Sequence, residues 1–249
     1  MKSTYSNPVM DQQLAHASVR TYTDEPIESE LLRSLLRCGQ AAASSSFVQA
    51  YSVVRVTDPG NRRAIAEAAG GQRWILEAAE FLVFCADLRR IDAACRRAGR
   101  GGIEGYAEHG VAAIVDVALM AQNVLLAAES AGLGGVFIGG IRNDPEVVAG
   151  CLGLPDLVVP VFGMCLGWPA DRAEVKPRMP LDLVLHRDAY RDPPGEEMAG
   201  YDEVMAAYYR SRSSNLKMTD WSTVTANAMQ GKKRPHMLGF LKRKGFFRR

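Results

Sequence analysis

Two uninterrupted apolar runs limit the folds that this chain can adopt more than any other feature of its sequence. They occupy residues 81–86 and 158–166, and charged residues bound the first. A strand without alternating polar side chains is covered on both faces, so each run predicts a central strand of a layered structure. Helical patterns lie before, between and after the two runs. The sequence therefore predicts an α/β or α+β fold in which helices surround a sheet.

The longest apolar stretch, residues 111–133, is nearly long enough to span a membrane. Five polar residues interrupt it on several faces: Asp116, Gln122, Asn123, Glu129 and Ser130. A membrane-spanning segment is therefore not expected. The stretch predicts instead a helix that is buried nearly all round, inside one subunit or between two.

Periodicity and turn residues place the other elements. Helices are predicted at residues 28–43, 61–69, 145–152 and 198–211, strands at 51–56 and 136–138, and a surface connection at 89–102. Regularity falls after Gly167, where five prolines occur within 26 residues. Long irregular excursions often wrap a partner subunit. We expect a single domain over residues 1–249, in which residues 168–249 form an irregular and helical C-terminal excursion with a basic tail.

Composition is that of a soluble globular protein, since 47% of the 249 residues are hydrophobic and 23% are charged. The five cysteines show neither a CxxC motif nor the Cys/His spacing of a zinc site, and Cys85 and Cys165 fall inside the apolar runs. Buried free thiols are typical of a reducing compartment. The first 13 residues are polar and lack the apolar core of a signal peptide. These features predict a cytoplasmic protein.

Charge is distributed unevenly along the chain. The net charge is +2, but residues 231–249 carry eight Lys or Arg side chains and no acid, which leaves 22 bases against 28 acids elsewhere. Such a tail would suit nucleic acid or a membrane surface. Phenylalanines and a leucine are interleaved with these charges, which fits equally well a docked terminal segment that lends cations to an anionic ligand. Nucleic-acid binding is therefore not the favoured interpretation.

A polar segment near the N-terminus carries three groups that suit a phosphate. His16, Ser18 and Arg20 alternate, so in an extended chain their side chains point to one side. Lys176 and Arg178 have the same spacing across a proline that keeps Lys176 extended. Two such sets would neutralise a phosphate dianion through charge-assisted hydrogen bonds. A solvated surface is the alternative interpretation of the first set taken alone.

Three other segments are weaker signals. The three serines at residues 44–46 suit a plain loop after a helix, and Gln72 suits a solvated loop position. The glycines of residues 134–140 suit tight entry to and exit from a strand, although they would also let a backbone approach a flat ring. They do not match G-x-G-x-x-G, which excludes a Rossmann dinucleotide site.

The sequence contains no motif for a protein-borne nucleophile or a metal site. It lacks G-x-S-x-G, a Walker A motif and H-E-x-x-H, and its four histidines lack metal-ligand spacing. If the protein is an enzyme, a bound cofactor is expected to carry the chemistry.

Four segments, in their order and separation, resemble the FMN-dependent nitroreductase superfamily, in particular its NADPH-preferring branch of oxygen-insensitive nitroreductases and flavin reductases. They are residues 16–27, Ser44-Ser45-Ser46-Phe47, residues 134–140, and Leu166-Gly167-Trp168-Pro169 followed by Lys176-Pro177-Arg178. The resemblance covers nearly the whole chain. It implies a nitroreductase-like fold with a central mixed, mainly antiparallel sheet, and an intertwined homodimer with FMN at its interface. It also implies ping-pong hydride transfer from NADPH through FMN to nitroaromatics, quinones or free flavin.

The resemblance further implies roles for individual residues. It leaves no catalytic side chain, because FMN carries the chemistry. The implied cofactor-binding residues are His16, Ser18, Arg20, Ser44, Ser46, Gln72, Phe137, Ile138, Gly139, Gly140, Lys176 and Arg178. Those implied for NADPH or substrate are Arg212 and Lys217, at the nucleotide 2′-phosphate, and Arg234, on the substrate side.

One position departs from the family pattern. Members commonly have His-Arg-Ser where this chain has His16-Ala17-Ser18, so one cation is missing. Weaker FMN binding is expected from that loss. It also leaves open a flavin- or nucleotide-binding regulatory protein without efficient turnover. A flavin-destructase-like or dehalogenase-like member is a further alternative, which no feature of the sequence favours.

Overall fold

The computed structural model describes residues 5–171, 174–212, 216–231 and 233–249. Their contacts divide them into two compact units. The first unit contains the described residues up to 171 together with residues 234–249, and the second contains those from 174 to 233. The C-terminal tail therefore belongs to the first unit, although the second unit precedes it in the chain.

A four-stranded sheet forms the centre of the first unit. Its strands are β1 (Tyr51–Arg55), β2 (Glu80–Asp87), β3 (Gly134–Ile138) and β4 (Val158–Gly167), in the order β1-β2-β4-β3. Every pair between these strands is antiparallel, which confirms a mainly antiparallel sheet. The two apolar runs of the sequence are the central strands, and every residue of β2 is buried.

Strand β4 contains a bulge opposite β2. Phe84 pairs with Phe162 and Cys85 pairs with Pro160, so Val161 is the extra residue. Proline donates no ladder hydrogen bond and is tolerated at such a position. The Val161 carbonyl accepts a hydrogen bond from Arg142 Nη1 at 2.7 Å. The irregular strand thus fixes an arginine that follows β3.

Ten helices accompany the sheet in the described part of the chain. The first unit contains α1 (Pro8–Leu14), α2 (Ser29–Gln40), α3 (Pro59–Ala68), α4 (Trp74–Glu77), α5 (Arg89–Arg97), α6 (Ala107–Ser130), α7 (Pro145–Cys151) and α10 (His236–Arg243), and the second contains α8 (Gly195–Ser211) and α9 (Trp221–Gly231). Side chains of Asn7, Asp58 and Asp144 accept backbone N–H groups at the starts of α1, α3 and α7, each of which opens with proline. This combination favours helix initiation.

Helix α6 packs closely against α2. A Cβ atom at Gly39 of α2 would lie only 2.5 Å from Val124 Cγ2 of α6, so glycine permits the approach. The single chain leaves one face of α6 exposed, so the helix is not buried nearly all round inside one subunit. The alternative, burial between two subunits, stays a prediction. Val111, Val115 and Leu119 are 50%, 44% and 42% exposed, and their spacing of four places them in one stripe.

The same helix is apolar enough to pass a test for membrane spans. Its mean hydropathy is 1.9 over 18 residues, of which 44% are buried. A core helix of a soluble protein passes this test equally well. The signal is therefore weak evidence for a membrane segment.

The surface connection predicted at residues 89–102 is wrong in its first part, which is helix α5. None of its residues is buried. The Asp92 carboxylate accepts hydrogen bonds from Arg96 at 2.7 Å and from the Ile103 N–H at 2.8 Å. These polar contacts add to a short apolar stripe, since Ile91 and Cys95 are four residues apart and half-buried, and Ile91 packs against the core.

The basic tail is docked on the first unit. Phe240 and Phe246 are buried, and the Leu157 N–H donates to the Lys244 carbonyl at 2.8 Å. The tail's cations contact the unit as well: Lys244 Nζ donates to the Leu154 carbonyl, Arg243 pairs with Glu146, and Arg249 pairs with Glu104. The interleaved aromatic residues are thus core residues.

The second unit has a small apolar core of its own. Tyr201, Met205 and Tyr209 of α8 are buried, and the rings of Tyr201 and Trp221 lie 5.8 Å apart. The Ser222 N–H donates to Asp202 at 2.8 Å, which joins the start of α9 to α8. These contacts hold the two helices of the unit together.

Thiol reactivity tests this description of the core. Burial raises the pKa of Cys85 and of Cys165 to about 12, so at pH 8 only about one in 10⁴ of these groups is a reactive thiolate. Cys38 is exposed. In a titration with Ellman's reagent, we expect Cys38 to react rapidly and both buried thiols to react only in denaturant.

The variant Cys38→Ala is the control for this titration and should lose the rapid phase. Mass spectrometry of the modified native protein identifies the labelled residues. Rapid native labelling of Cys85 or Cys165 would contradict the buried placement.

Candidate active site

The N-terminal segment, residues 16–23, lies against the ends of β3 and β4. The Val19 N–H donates to the Gly135 carbonyl at 3.0 Å, and the Thr23 N–H donates to the Trp168 carbonyl at 2.9 Å. The segment therefore runs beside the sheet.

Two glycines make room for this segment. Gly134 and Gly167 are partners in the β3–β4 register. A Cβ atom at Gly134 would lie 2.5 Å from Val19 Cγ2, and one at Gly167 would lie 2.7 Å from Tyr22 Cδ1. Real Cβ contacts are longer, so larger residues would displace the segment.

Side chains alternate along this segment. Val19 is buried and Arg20 is exposed, while His16 and Ser18 are half-buried. The Arg20 guanidinium lies 5.8 Å from the ring centroid of Trp74. The indole Nε1 of Trp74 is buried and has no hydrogen-bond partner among the described residues. A buried donor of this kind is costly unless a bound acceptor satisfies it.

His16 makes a close contact with the end of α6. Its Nδ1 lies 2.5 Å from Glu129 Oε1, and the Glu129 side chain is 8% exposed. Because a carboxylate accepts hydrogen bonds, this contact places the proton on Nδ1 and leaves Nε2 for a ligand. Sequence reasoning treated Glu129 only as an interruption of an apolar stretch.

The glycine turn, Gly139–Asn143, follows β3 directly. A Cβ atom at Gly140 would collide with Gln72 Nε2 and lie 2.5 Å from the Ala69 carbonyl oxygen. The structure thus brings Gln72 and Gly140 together, as expected of residues that line one site. Gln72 is held by a hydrogen bond to the Ala69 carbonyl at 2.9 Å.

Gly139 has a different environment. A Cβ atom there would meet only the end of the Arg142 side chain, at 3.4 Å. Packing within the protein therefore does not require glycine at this position. An open glycine next to Gly140, which contacts Gln72, fits the close approach of a flat ligand with hydrogen-bonding edges, as FMN is.

The two residues before this turn contribute differently. Ile138 is 1% exposed, so it offers a ligand only its backbone. Phe137 is 36% exposed, and its ring lies edge-to-face with Phe162 at a centroid distance of 5.0 Å. Of the two side chains, only that of Phe137 is accessible.

A cluster of polar residues lies behind the glycine turn. Arg234 Nε and Nη2 donate to Asn143 Oδ1 at 2.9 and 2.8 Å, and His236 Nε2 lies 3.1 Å from the Arg142 carbonyl. Burial, and then the charge of Arg234, lower the pKa of Arg142. Arg234 belongs to the predicted set of site residues, whereas Arg142, which lies four positions after the end of β3, is not part of that set.

In the serine turn, residues 44–50, the hydroxyl of Ser44 bonds within the protein. The Ser44 hydroxyl donates to Asp116 Oδ2 at 2.6 Å, and its oxygen accepts the Gln49 N–H at 2.7 Å. That hydroxyl is therefore committed within the protein. Ser46 and Phe47 are exposed, and Phe47 is 79% exposed.

Four basic residues of the sequence prediction lie in the second unit. Lys176 Nζ and the Arg212 guanidinium each lie 5.9 Å from a tyrosine ring centroid, of Tyr209 and Tyr208 respectively. The Lys217 N–H donates to the Tyr209 carbonyl at 3.3 Å. Lys176, Arg212 and Lys217 thus gather near the C-terminal end of α8, where a helix favours positive charge. Arg178 is exposed.

Comparison with known proteins identifies the class. The model of the nitroreductase family matches residues 14–168, and that of the nitroreductase family C-terminal domain matches residues 176–249. The chain therefore belongs to the nitroreductase family. Its fold is nitroreductase-like, since it matches the crystal structure of nitroreductase A from Vibrio parahaemolyticus with a TM-score of 0.90 and 41% identity, covering 98% of this chain and 100% of that one.

Two relatives match over nearly their whole length. The chain is 42% identical to an oxygen-insensitive NADPH nitroreductase of Salmonella typhimurium over 240 residues, which is 96% of this chain and 98% of the relative. It is 43% identical to an NADPH-flavin oxidoreductase of Vibrio harveyi over 244 residues, which is 98% of this chain and 100% of the relative.

The two glycines of the turn should respond differently to alanine. Gly140→Ala forces its Cβ into Gln72 and the Ala69 backbone, so we expect the free energy of unfolding without FMN to fall by about 1–3 kcal/mol. Gly139→Ala should leave stability unchanged and weaken FMN binding about tenfold, because it fills the space beside the ligand. Urea unfolding and FMN fluorescence titration measure the two effects.

Gly150→Ala, in α7, is the matched control. A Cβ atom there meets nothing within 4 Å, so stability should hold or rise by about 0.5–1 kcal/mol and FMN affinity should not change. An unchanged FMN affinity in Gly139→Ala would argue against this glycine facing the flavin.

Proposed function

We propose that the protein is an FMN-dependent NADPH oxidoreductase that reduces nitroaromatics, quinones or free flavin by a ping-pong cycle. The observation that carries this proposal is the glycine turn, in which Gly139 is open and the adjacent Gly140 contacts Gln72. When bound, FMN supplies hydride acceptance from NADPH and transfer of reducing equivalents to an electron-poor acceptor. The relatives' names, NADPH nitroreductase and NADPH-flavin oxidoreductase, support the same activity.

The protein's own residues bind and orient the cofactor in this proposal. His16, held by Glu129 through Nδ1, offers Nε2 to the cofactor, and Ser18 contributes a hydroxyl. Exposed Arg20 supplies positive charge beside the flavin pyrimidine edge, where negative charge accumulates on reduction. We assign Lys176 and Arg178 to the FMN phosphate, as charge-assisted donors.

The flat part of the cofactor is assigned to the glycine turn. Gln72 offers its amide to the ring edge, Gly139 and Gly140 allow the ring to approach, and Ile138 contributes backbone only. Phe137 contributes an accessible aromatic ring. Among the serines, Ser46 is assigned to the cofactor in place of Ser44, whose hydroxyl is bonded to Asp116.

Nucleotide and substrate recognition is assigned to three further cations. Arg212 and Lys217 supply positive charge for the NADPH 2′-phosphate. An arginine can donate two parallel hydrogen bonds to a phosphate, whereas a lysine acts as a point charge. Arg234, which Asn143 holds by two hydrogen bonds, is assigned to the substrate side. The tail cations that pair with Glu146 and Glu104 already have partners.

We further propose that the protein is a cytoplasmic homodimer. The exposed stripe of Val111, Val115 and Leu119 on α6 is a face that association with a second copy would remove from water. The free cysteines support a reducing compartment. Small-molecule electron acceptors are the expected partners, with neither membrane nor nucleic acid.

Anaerobic stopped-flow absorbance tests the function. With the FMN-reconstituted protein, we expect NADPH to bleach the flavin band faster than NADH, and a quinone to restore it. In Arg212→Ala, the NADPH concentration for half-maximal bleaching should rise about tenfold, since one charge-assisted phosphate contact is lost, while that for NADH should not change.

Arg210→Ala is the matched control, because Arg210 is a neighbouring exposed arginine on the same helix. It should behave like the wild type with both nucleotides. A flavin that NADPH does not bleach would refute the oxidoreductase, and equal losses with NADPH and NADH would refute the 2′-phosphate role of Arg212.

Position 17 offers a gain-of-function test. Ala17→Arg restores the cation that family members commonly carry, so FMN should bind about 10- to 100-fold more tightly, corresponding to about 1.5–3 kcal/mol. Fluorescence titration at low ionic strength measures the dissociation constant.

Ala17→Met separates charge from side-chain length and should not tighten binding. The gain in affinity of Ala17→Arg should shrink as salt is added. If Ala17→Arg gives no gain at low salt, the missing cation is not what sets the FMN affinity of this chain.

A further inference from the structure

Asp116 is a fully buried carboxylate in the middle of α6, with none of its surface exposed. From the described residues, its oxygens accept three hydrogen bonds: from the Ser44 hydroxyl at 2.6 Å, from the Ser45 N–H at 2.8 Å and from the Ala50 N–H at 3.0 Å. A buried charge is tolerated where hydrogen bonds replace its hydration.

These hydrogen bonds fix both ends of the serine turn to one point on α6. Ser44 and Ser45 begin the turn and Ala50 ends it. The Ser44 oxygen also accepts the Gln49 N–H at 2.7 Å, so the two ends are joined through Ser44 as well. The residues between are free to project away from the helix.

The backbone between these ends is strained. Ser46, Phe47 and Gln49 have φ values of 46°, 58° and 53°, in the left-handed region that residues other than glycine seldom adopt. Such strain persists only where the surroundings hold it, and it is common at ligand-binding segments. The Asp116 hydrogen bonds supply that restraint.

The strained turn exposes what a protein core would bury. Phe47 is 79% exposed, although it is a large apolar side chain, and Ser46 beside it is also exposed. A strained backbone that displays an aromatic ring and a hydroxyl is suited to contact a bound ligand.

We propose that Asp116 is a positioning residue, which holds Ser45–Phe47 in the conformation that contacts the flavin. This inference rests on the proposed FMN-dependent function. Asp116 touches neither cofactor nor substrate and acts through the turn. A carboxylate is needed because it accepts all three donors, whereas an asparagine has one acceptor oxygen and directs N–H groups at the others.

The test variant is Asp116→Asn, which keeps the side chain's shape. In the FMN-free protein, hydrogen exchange at the amides of Ser45, Gln49 and Ala50 should accelerate at least about tenfold, while exchange in strand β2 should not change. The dissociation constant for FMN should rise about tenfold, and saturating FMN should restore kcat to within about twofold of the wild type.

Two companion variants keep the test decisive. Ser44→Ala removes only the hydroxyl that links Gln49 to Asp116, so faster exchange at Gln49 is expected even if Asp116→Asn fails to fold. Asp58→Asn is the matched control, since Asp58 accepts a backbone N–H at the start of α3 and has no part in the turn. It should leave turn exchange and FMN affinity unchanged.

Two results would overturn the proposal: unchanged turn exchange in Asp116→Asn and Ser44→Ala, or accelerated exchange with an unchanged dissociation constant for FMN. In either case the wild type still binds FMN, so the result would refute only the positioning role of Asp116 and not the proposed function. A wild-type protein that binds no FMN would instead refute the proposed function, and with it the positioning role.

Discussion

The packing of α6 against α2 and the sheet is the constraint on which the candidate site depends. Two of the three carboxylates of this helix, Asp116 near its middle and Glu129 near its end, are separated by about 20 Å along the axis. Asp116 holds the serine turn, and Glu129 holds the imidazole of His16. The serine turn has no buried apolar side chain of its own between Ser44 and Gln49, whereas the segment of His16 is also held by the packing of Val19 and Tyr22. A mainly apolar helix thus carries polar contacts to two loops.

The sheet provides the second constraint, through glycines and a bulge. Gly134 and Gly167 face each other, and their missing side chains leave space that Val19 and Tyr22 fill. The bulge at Val161 leaves a carbonyl that Arg142 caps, which fixes the residues after Gly139 and Gly140. The candidate site therefore lies at the ends of β3 and β4 and near the bulge in β4, where regular strand pairing stops. Burial raises the pKa of Tyr22, which keeps its hydroxyl protonated as a donor to the Val19 carbonyl at 2.8 Å.

Sequence patterns predicted part of this arrangement, because some elements are encoded by residues that are close together in the chain. The uninterrupted runs predict β2 and β4, and the spacing of His16, Ser18 and Arg20 singles out the segment that lies beside the ends of β3 and β4. The contacts of Asp116 with Ser44 and of Glu129 with His16 join residues 72 and 113 positions apart, and no spacing rule reports them. Helix α5 was missed because its arginines and the glycines that follow it suggest a loop, although Ile91 and Cys95 lie four residues apart on one face. The exposed stripe of α6 looks the same in sequence as a buried one.

The placement of the tail changes how nucleotide selectivity should be understood. A run of basic residues suggests attraction for any polyanion, but Phe240 and Phe246 are core residues, and Arg243, Lys244 and Arg249 are bonded to the first unit. A cation already paired with a carboxylate gains little from a second anion. In the proposed assignment, discrimination between NADPH and NADH falls to cations near aromatic rings, Arg212 beside Tyr208 among them. Such a contact orients a guanidinium while leaving its N–H groups for a phosphate, which makes it a more selective receptor than net charge alone.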